Sequence, residues 1–282
     1  HHRQHAARGR SDPHIAEITD TLRPMGITVV VIGSTGALGA AAAAGFLARG
    51  ASVFGLDRVH PADAPALHLQ HVIHPAHRHP RFRHLPADVT HVADVHAAAL
   101  AISETAGAID HVVQIAGGAL PTEVGQADIC EVDHDALVAS VHLNLIAPMT
   151  IARAFLPALR ASNQHPSLTF TSSVNALSGI DLFGYSAAKA GLLALTRDLA
   201  VAEGARGVRV NAVVPGTVVT PATEHLWSQH PAHFHDMAAT AALAKLATPA
   251  DLADAYTALA LDLHAVTGQT LVVDSGQTAR WR

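Results

Sequence analysis

The run VVVIGSTGALGAAAAAGFLARGASVFGLDR, residues 29–58, leaves few folds open to the chain. Its first strand is apolar on both faces, which suits a strand buried between two layers rather than one side of a half-exposed sheet. Gly33, Gly36 and Gly39 stand where that strand gives way to an alanine-rich helix, and a second apolar strand ends at Asp57, 24 residues after Gly33. Glycines at such a junction permit a tight turn and let backbone approach a pyrophosphate, whose charge then rests on the helix N-terminus. A carboxylate closing the second strand can accept hydrogen bonds from both ribose hydroxyls of an NAD adenosine, and it would repel a 2′-phosphate. The glycine loop holds no Lys or Arg, and Arg58 offsets part of that repulsion at most, so the pattern favours NAD over NADP.

The same alternation continues to the end of the chain. Strands are predicted at 27–33, 51–57, 81–88, 111–117, 167–173, 208–216 and 269–274, with helices at 37–49, 91–106, 131–160, 184–203, 221–240 and 249–262. Apolar strands alternating with helices predict an α/β fold, a doubly wound parallel sheet in a single domain over 27–282. Residues 1–26 stand apart as an N-terminal extension. There SDPHIAEITDTLRPMG offers Ser11 or Asp12 as a cap, apolar Ile15, Ile18 and Leu22, and Pro24 and Gly26 as stop signals for one short helix.

Composition narrows the function. Charged residues are 15% of the chain and the formal net charge is −5, with no basic stripe, so nucleic acid is not an expected partner. A single cysteine, Cys130, excludes an intramolecular disulfide and a Cys-rich metal site. The N-terminus HHRQHAARGR lacks a signal peptide's apolar run, and ITVVVI and GALGAAAAAGFLA are too short or too broken by glycine to span a bilayer. A soluble, cytoplasmic protein with no membrane partner is expected. Histidine is abundant, 22 of 282 residues, and His68, His71 and His74 recur every third position. No Asp, Glu or Cys lies within 66–86 to complete a familiar ligand set, so no metal is expected.

Residues 183–200, FGYSAAKAGLLALTRDLA, place Tyr185 and Lys189 four residues apart in a helical pattern, where side chains are neighbours. A phenol titrates near pH ~10, and a cation beside it favours the phenolate. At an effective dielectric of 20, unit charges ~5 Å apart interact by roughly 3 kcal/mol, enough to bring the phenol toward general acid–base work. The pair alone is equally compatible with an ordinary amphipathic helix.

Further segments, taken in order, decide the matter. The glycine loop, Asp57, ADV with Asp88, QIAGG at 114–118, LNLIAP with Asn144, TSSVNALSG, YSAAK, VNAVVPGTVVTP at 210–221 and VTGQTLVVDSG at 266–276 together resemble the short-chain dehydrogenase/reductase family. The likeness covers nearly all of 27–282. It implies a Rossmann fold and an oxidoreductase that interconverts a secondary alcohol and a ketone by hydride transfer to or from NAD(H). Tyr185 would exchange the proton, Lys189 would lower its pKa and bind the nicotinamide ribose, and a serine would orient the substrate oxygen. Asn144 would hold a water linking Lys189 to solvent. Ser173 is preferred from the SSV motif, although Ser172 has the commoner 13-residue spacing to Tyr185. The implied cofactor contacts are Gly33, Thr35, Gly36, Leu38, Gly39, Asp57, Arg58, Asp88, Val89, Ala116, Gly117, Pro215, Gly216, Val218 and Thr220, with Tyr185 and Lys189. The implied partners are a small alcohol or ketone and further copies of the chain, as tetramer or dimer.

The sequence departs from the family in places. Its glycines follow G-x-x-G-x-x-G with Ala37 at the usual middle glycine, Ile32 replaces a threonine, and Gln114 and Ile115 replace the usual Asn pair. The 93 residues after Lys189 leave no room for the larger substrate domain of the family's extended branch. Two alternatives stay open: an NADP-dependent 3-oxoacyl carrier-protein reductase with Arg153, Arg160 and Arg197 as a docking patch, and a non-catalytic dinucleotide sensor.

Overall fold

Seven strands line up side by side, all parallel, in the order β3-β2-β1-β4-β5-β6-β7. They are β1 Thr28–Ile32, β2 Ser52–Asp57, β3 Phe82–Pro86, β4 His111–Gln114, β5 Ser167–Thr171, β6 Arg209–Pro215 and β7 Thr270–Val273. This computed structural model describes residues 26–60, 75–179, 181–220, 223 and 231–279, with the backbone alone for 231–235. The expected N-terminal helix, the His68–His71–His74 repeat and most of 221–230 lie outside the described residues. The doubly wound parallel sheet expected from the alternation is the fold observed.

The apolar strands are explained by what lies on each side. Val30 and Ile32 of β1 face a cluster with Val95 and Ile102 of α2 (Val92–Ala106), Ile151 and Phe155 of α4 (Ala147–Ala161) and Leu192 of α5 (Phe183–Gly204). Val29 and Val31 face the opposite cluster, with Phe46 of α1 (Ala37–Ala48) and Leu252 and Tyr256 of α7 (Pro249–Leu261). Alternate side chains thus enter two cores, and each strand must be apolar throughout. The strand order reverses between β1 and β4, which opens a crevice at their carboxyl ends.

The helix expected at 131–160 has internal structure. Asp133 caps α3 (His134–Val141) by accepting a hydrogen bond from the Ala136 amide, and a π-helical turn at His142–Ile146 joins α3 to α4. The run His134–Ala161 has 28 residues and a mean hydropathy of 1.4, long and apolar enough by itself to cross a membrane, which the reading of apolar stretches passed over. Its fully buried Ile151, Phe155 and Leu159 pack against the sheet. The remaining described helix, α6, spans Pro231–Thr240.

The predicted strands ran into the loops that follow. Gly33, Ala87, Asp88, Ile115, Ala116, Gly117, Ser172, Ser173, Gly216 and Asp274 all lie just past strand ends. There the backbone leaves the ladder to line the crevice, while the residue types stay apolar or small.

Phe155 is fully buried between α4 and the sheet, so Phe155→Ala should lower unfolding stability by about 3–5 kcal/mol in urea titrations. A loss below about 1 kcal/mol would refute this core assignment.

Candidate active site

Most sequence-predicted site residues from Gly33 to Gly216 lie at or just past the carboxyl ends of strands, which the parallel sheet brings to one edge, while Asn144, Tyr185 and Lys189 come from helical segments. At the β1 end, a Cβ on Gly39 would overlap the Gly33 carbonyl oxygen, so glycine is what lets α1 start this close to the strand. Gly36 caps α1 without a side-chain hydrogen bond, so the first-turn N–H groups have no side-chain partner and can serve an anion. Thr35 and Leu38 belong to the same turn. The site fits a pyrophosphate.

Asp57 closes β2, half buried, and its carboxylate accepts from the Thr35 amide at 3.1 Å and from the Val59 amide at 3.3 Å. It therefore ties the glycine loop to β2; Arg58 beside it is exposed. One contact escaped the sequence reading. His77 shares a 3.0 Å hydrogen bond with the Ser34 carbonyl beneath the loop, and burial pushes its pKa down. Asp88 turns its carboxylate to the amide and hydroxyl of Thr90, which hold its pKa below the ordinary value, and Val89 is buried next to it.

The catalytic candidates converge at the ends of β4 and β5. Lys189 is buried, donates from Nζ to the Thr171 carbonyl at 2.8 Å, and stands 5.5 Å from the centre of the Tyr185 ring. The two serines play different parts. Ser172 donates to the Lys189 carbonyl at 2.7 Å, a tie between β5 and α5, whereas the Ser173 hydroxyl is the one whose polarity favours the ionised Tyr185 phenol. Ser173 also exchanges hydrogen bonds with the backbone and side chain of Asn175. Geometry favours Ser173, the one-short spacing notwithstanding.

One expectation is corrected. Tyr185 does not have its pKa drawn down: burial raises it above the ordinary phenol value, the Ser173 hydrogen bond opposes the rise, and the charge of Glu123 adds to it. Removing the pair from water penalises phenolate and ammonium alike, and burial lowers Lys189 from 10.5 to about 8. The solvated i, i+4 estimate omitted that cost. The side-chain amide of Asn144 is fully engaged with the backbone around it. It sits in the π-helical turn, donates to the carbonyls of Gly118 and Ser140, both at 3.0 Å, and accepts from the Gly118 amide at 2.9 Å. It acts as a strut for the loop after β4. A Cβ on Gly117 would come within 2.8 Å of Asn144 Oδ1 and 3.4 Å of Lys189 Nζ, which shows how closely that loop approaches the cluster. Gln114, in place of the usual Asn, donates to the Ala116 carbonyl.

At the end of β6, Pro215 and Gly216 lead into a loop held by the C-terminal segment, where the Gln277 side chain accepts from the Thr217 amide at 2.7 Å. The Val218 carbonyl accepts from the Thr223 hydroxyl at 2.9 Å, and the Thr220 hydroxyl is paired with Thr223. Both positions expected to face a carboxamide are thus built into one turn. Among the described residues, no cluster of three or more His, Cys, Asp or Glu is placed to hold a metal ion.

Comparison with known proteins places the arrangement. The family model described as enoyl-(acyl carrier protein) reductase matches residues 33–278. The cis-4-hydroxycyclohexanecarboxylate dehydrogenase of Sinomonas cyclohexanicum is 33% identical over 251 residues, 89% of this chain and 96% of that protein. The 2-(R)-hydroxypropyl-CoM dehydrogenase of Xanthobacter autotrophicus is 31% identical, with 90% and 100% covered. The crystal structure of an oxidoreductase of the short-chain dehydrogenase/reductase family from Burkholderia thailandensis superposes with a TM-score of 0.77 at 32% identity, covering 90% of this chain and 93% of that one.

Burial of the Lys189 ammonium, at about 8 rather than 10.5, costs roughly 3 kcal/mol of stability at pH 7. Lys189→Met removes that cost and leaves the Thr171 carbonyl without its donor, worth about 1 kcal/mol. The variant should unfold at higher urea than wild type at pH 7. The folded state binds this proton more weakly than the unfolded chain, so wild type regains stability as pH rises from about 8 through 10.5, and the gap should close there. A variant no more stable than wild type at pH 7 would refute the burial argument.

Proposed function

The chain belongs to the short-chain dehydrogenase/reductase family, and from that premise we propose an NAD(H)-dependent enzyme interconverting a secondary alcohol and a ketone, with Tyr185 moving the proton. The observation that carries this reading is the convergence of Tyr185, Ser173 and Lys189 beside the glycine-loop crevice. A nicotinamide dinucleotide bound there supplies or accepts the hydride. In the oxidative direction Tyr185 Oη, ionised, takes the proton from the substrate hydroxyl; in reduction the protonated phenol returns it to the carbonyl oxygen. Ser173, next to the phenol at the end of β5, would turn its hydroxyl from Asn175 to donate to the same substrate oxygen. Lys189, held by Thr171, keeps positive charge behind the phenol while it is protonated. Asn144 fixes the loop that carries Gly117 and Gly118 against this cluster.

NAD is favoured because Asp57 ends β2 with a half-buried carboxylate, tied to the Thr35 and Val59 amides, and would repel a 2′-phosphate. The carrier-protein reductase reading gains from the family model's description, but its docking patch is weak: Arg160 is paired through two nitrogens with Glu203, both at 2.7 Å. The related dehydrogenases are named for hydroxy compounds, which supports a small hydroxyl or carbonyl substrate. Exposed Met149 and Val201 on α4 and α5 support self-association through those helices. A reducing, cytoplasmic setting suits the single, free Cys130.

NAD and NADP are to be compared side by side on a panel of alcohols and ketones, with wild type and Tyr185→Phe. Turnover with NAD is expected, falling about 10²–10⁴-fold in the variant while NADH binding by fluorescence titration is retained. Because oxidation needs the ionised phenol, its kcat/KM should climb with pH, and reduction should decline at alkaline pH. Preference for NADP, or tight NADH binding with no turnover on any substrate, would overturn the proposal.

A further inference from the structure

A buried carboxylate stands against the catalytic helix and has no part in the scheme above. Glu123, 1% exposed, lies in the loop after β4. Its Oε1 accepts the Tyr185 amide at 3.0 Å, and its Oε2 faces the Leu120 amide at 3.5 Å, closing a turn whose other bond runs from the Glu123 amide to the Leu120 carbonyl. Space around it is tight. A Cβ on Gly184 would stand 2.7 Å from Glu123 Oε1, 3.2 Å from Ser140 Cβ and 3.3 Å from the Leu137 carbonyl. The carboxylate is therefore wedged between α3 and the first turn of α5.

Helix α5 needs such a partner. The residue before it, Leu182, has φ 92 and offers no side-chain cap, so the first-turn amides depend on a group from elsewhere. Glu123, 62 residues away in sequence, supplies it with the charge that a helix N-terminus favours. The loop after β4 is thus held twice, by Asn144 at Gly118 and by Glu123 at Tyr185.

We propose that Glu123 is a positioning residue for Tyr185: its buried carboxylate, holding the Tyr185 amide, fixes the first turn of the catalytic helix and so the place of the phenol. The inference rests on Tyr185 being the proton-transfer group. A negative charge near a phenol disfavours the phenolate. The groups facing Tyr185 are the Lys189 ammonium from its own helix, the Ser173 hydroxyl from the loop after β5, Glu123 from the loop after β4, and Tyr256 of α7, which reaches the cluster through Thr171. Beside the larger effect of burial, Glu123 adds to what holds the Tyr185 pKa above its ordinary value.

Glu123→Gln separates charge from geometry, because the amide oxygen can still accept the Tyr185 N–H. The chain has two tyrosines, so the ultraviolet tyrosinate spectrum of a protein minus that of the same protein carrying Tyr185→Phe reports Tyr185 alone. Recorded in rapid pH jumps, its midpoint should move to lower pH in Glu123→Gln than in wild type. The acid limb of kcat/KM for alcohol oxidation should move the same way. Glu123→Ala, which also removes the hydrogen bond, should lower kcat further, toward 10²-fold, through misplacement of the phenol. An unchanged kcat in Glu123→Ala, an unchanged tyrosinate midpoint, or a Tyr185 that fails to ionise in either protein, overturns the proposal. Wild-type protein that turns over no substrate would refute the dehydrogenase reading instead, and the absorbance titration would still decide the role of Glu123.

Discussion

A parallel sheet buried on both faces confines polar chemistry to the ends of its strands. In this chain Val29, Val30, Val31 and Ile32 are all fully buried, feeding alternately into two cores, and no side chain between them can meet solvent or ligand. The first freedom comes where the ladder stops. Because every strand runs the same way, Gly33, Asp57, Asp88, Ala116, Ser173 and Gly216 emerge on one edge, although they span more than half the sequence. The active site follows from that geometry, with α5 laid across the end of β5 to add Tyr185 and Lys189.

Desolvation governs the electrostatics of that edge. Lys189 is a cation almost without solvent, held by one carbonyl at the end of β5, and its proton is accordingly loosened. Tyr185 is half-buried beside it, and the cost of taking a phenolate out of water exceeds what neighbouring groups return. A fold optimised for stability alone would not bury a lysine here. The strain is tolerated because the surrounding contacts are committed: Ser172 ties α5 to β5, Asn144 ties the loop after β4 to the π-helical turn, and Glu123 ties that loop to α5.

Much of the architecture was legible in the residues. Apart from the helix expected at 221–240, of which 231–240 is described, strand and helix positions came within a few residues of those observed, because period and apolar runs are local properties. The misses have physical causes. Strand ends were overrun because residues lining the crevice are as small or apolar as those in the ladder. The π-helical turn around Asn144 spans only five residues, too short a break in period to stand out in a helical pattern. His77, whose ring reaches the Ser34 carbonyl 43 residues away, looked like one histidine among many.

By itself the sequence determined the sheet, the glycine-lined turn that fits a pyrophosphate, and the spacing that sets Tyr185 and Lys189 on one helix face. Each shows in a local pattern of residue types, even where, as in the sheet, the pairings it leads to join distant strands. The tertiary structure decided which serine meets the phenol, that Asn144 braces a loop, that Glu123 caps the catalytic helix, and which way the Tyr185 and Lys189 pKa values move. Those outcomes depend on burial and on partners distant in sequence, and neither exists until the layers have packed.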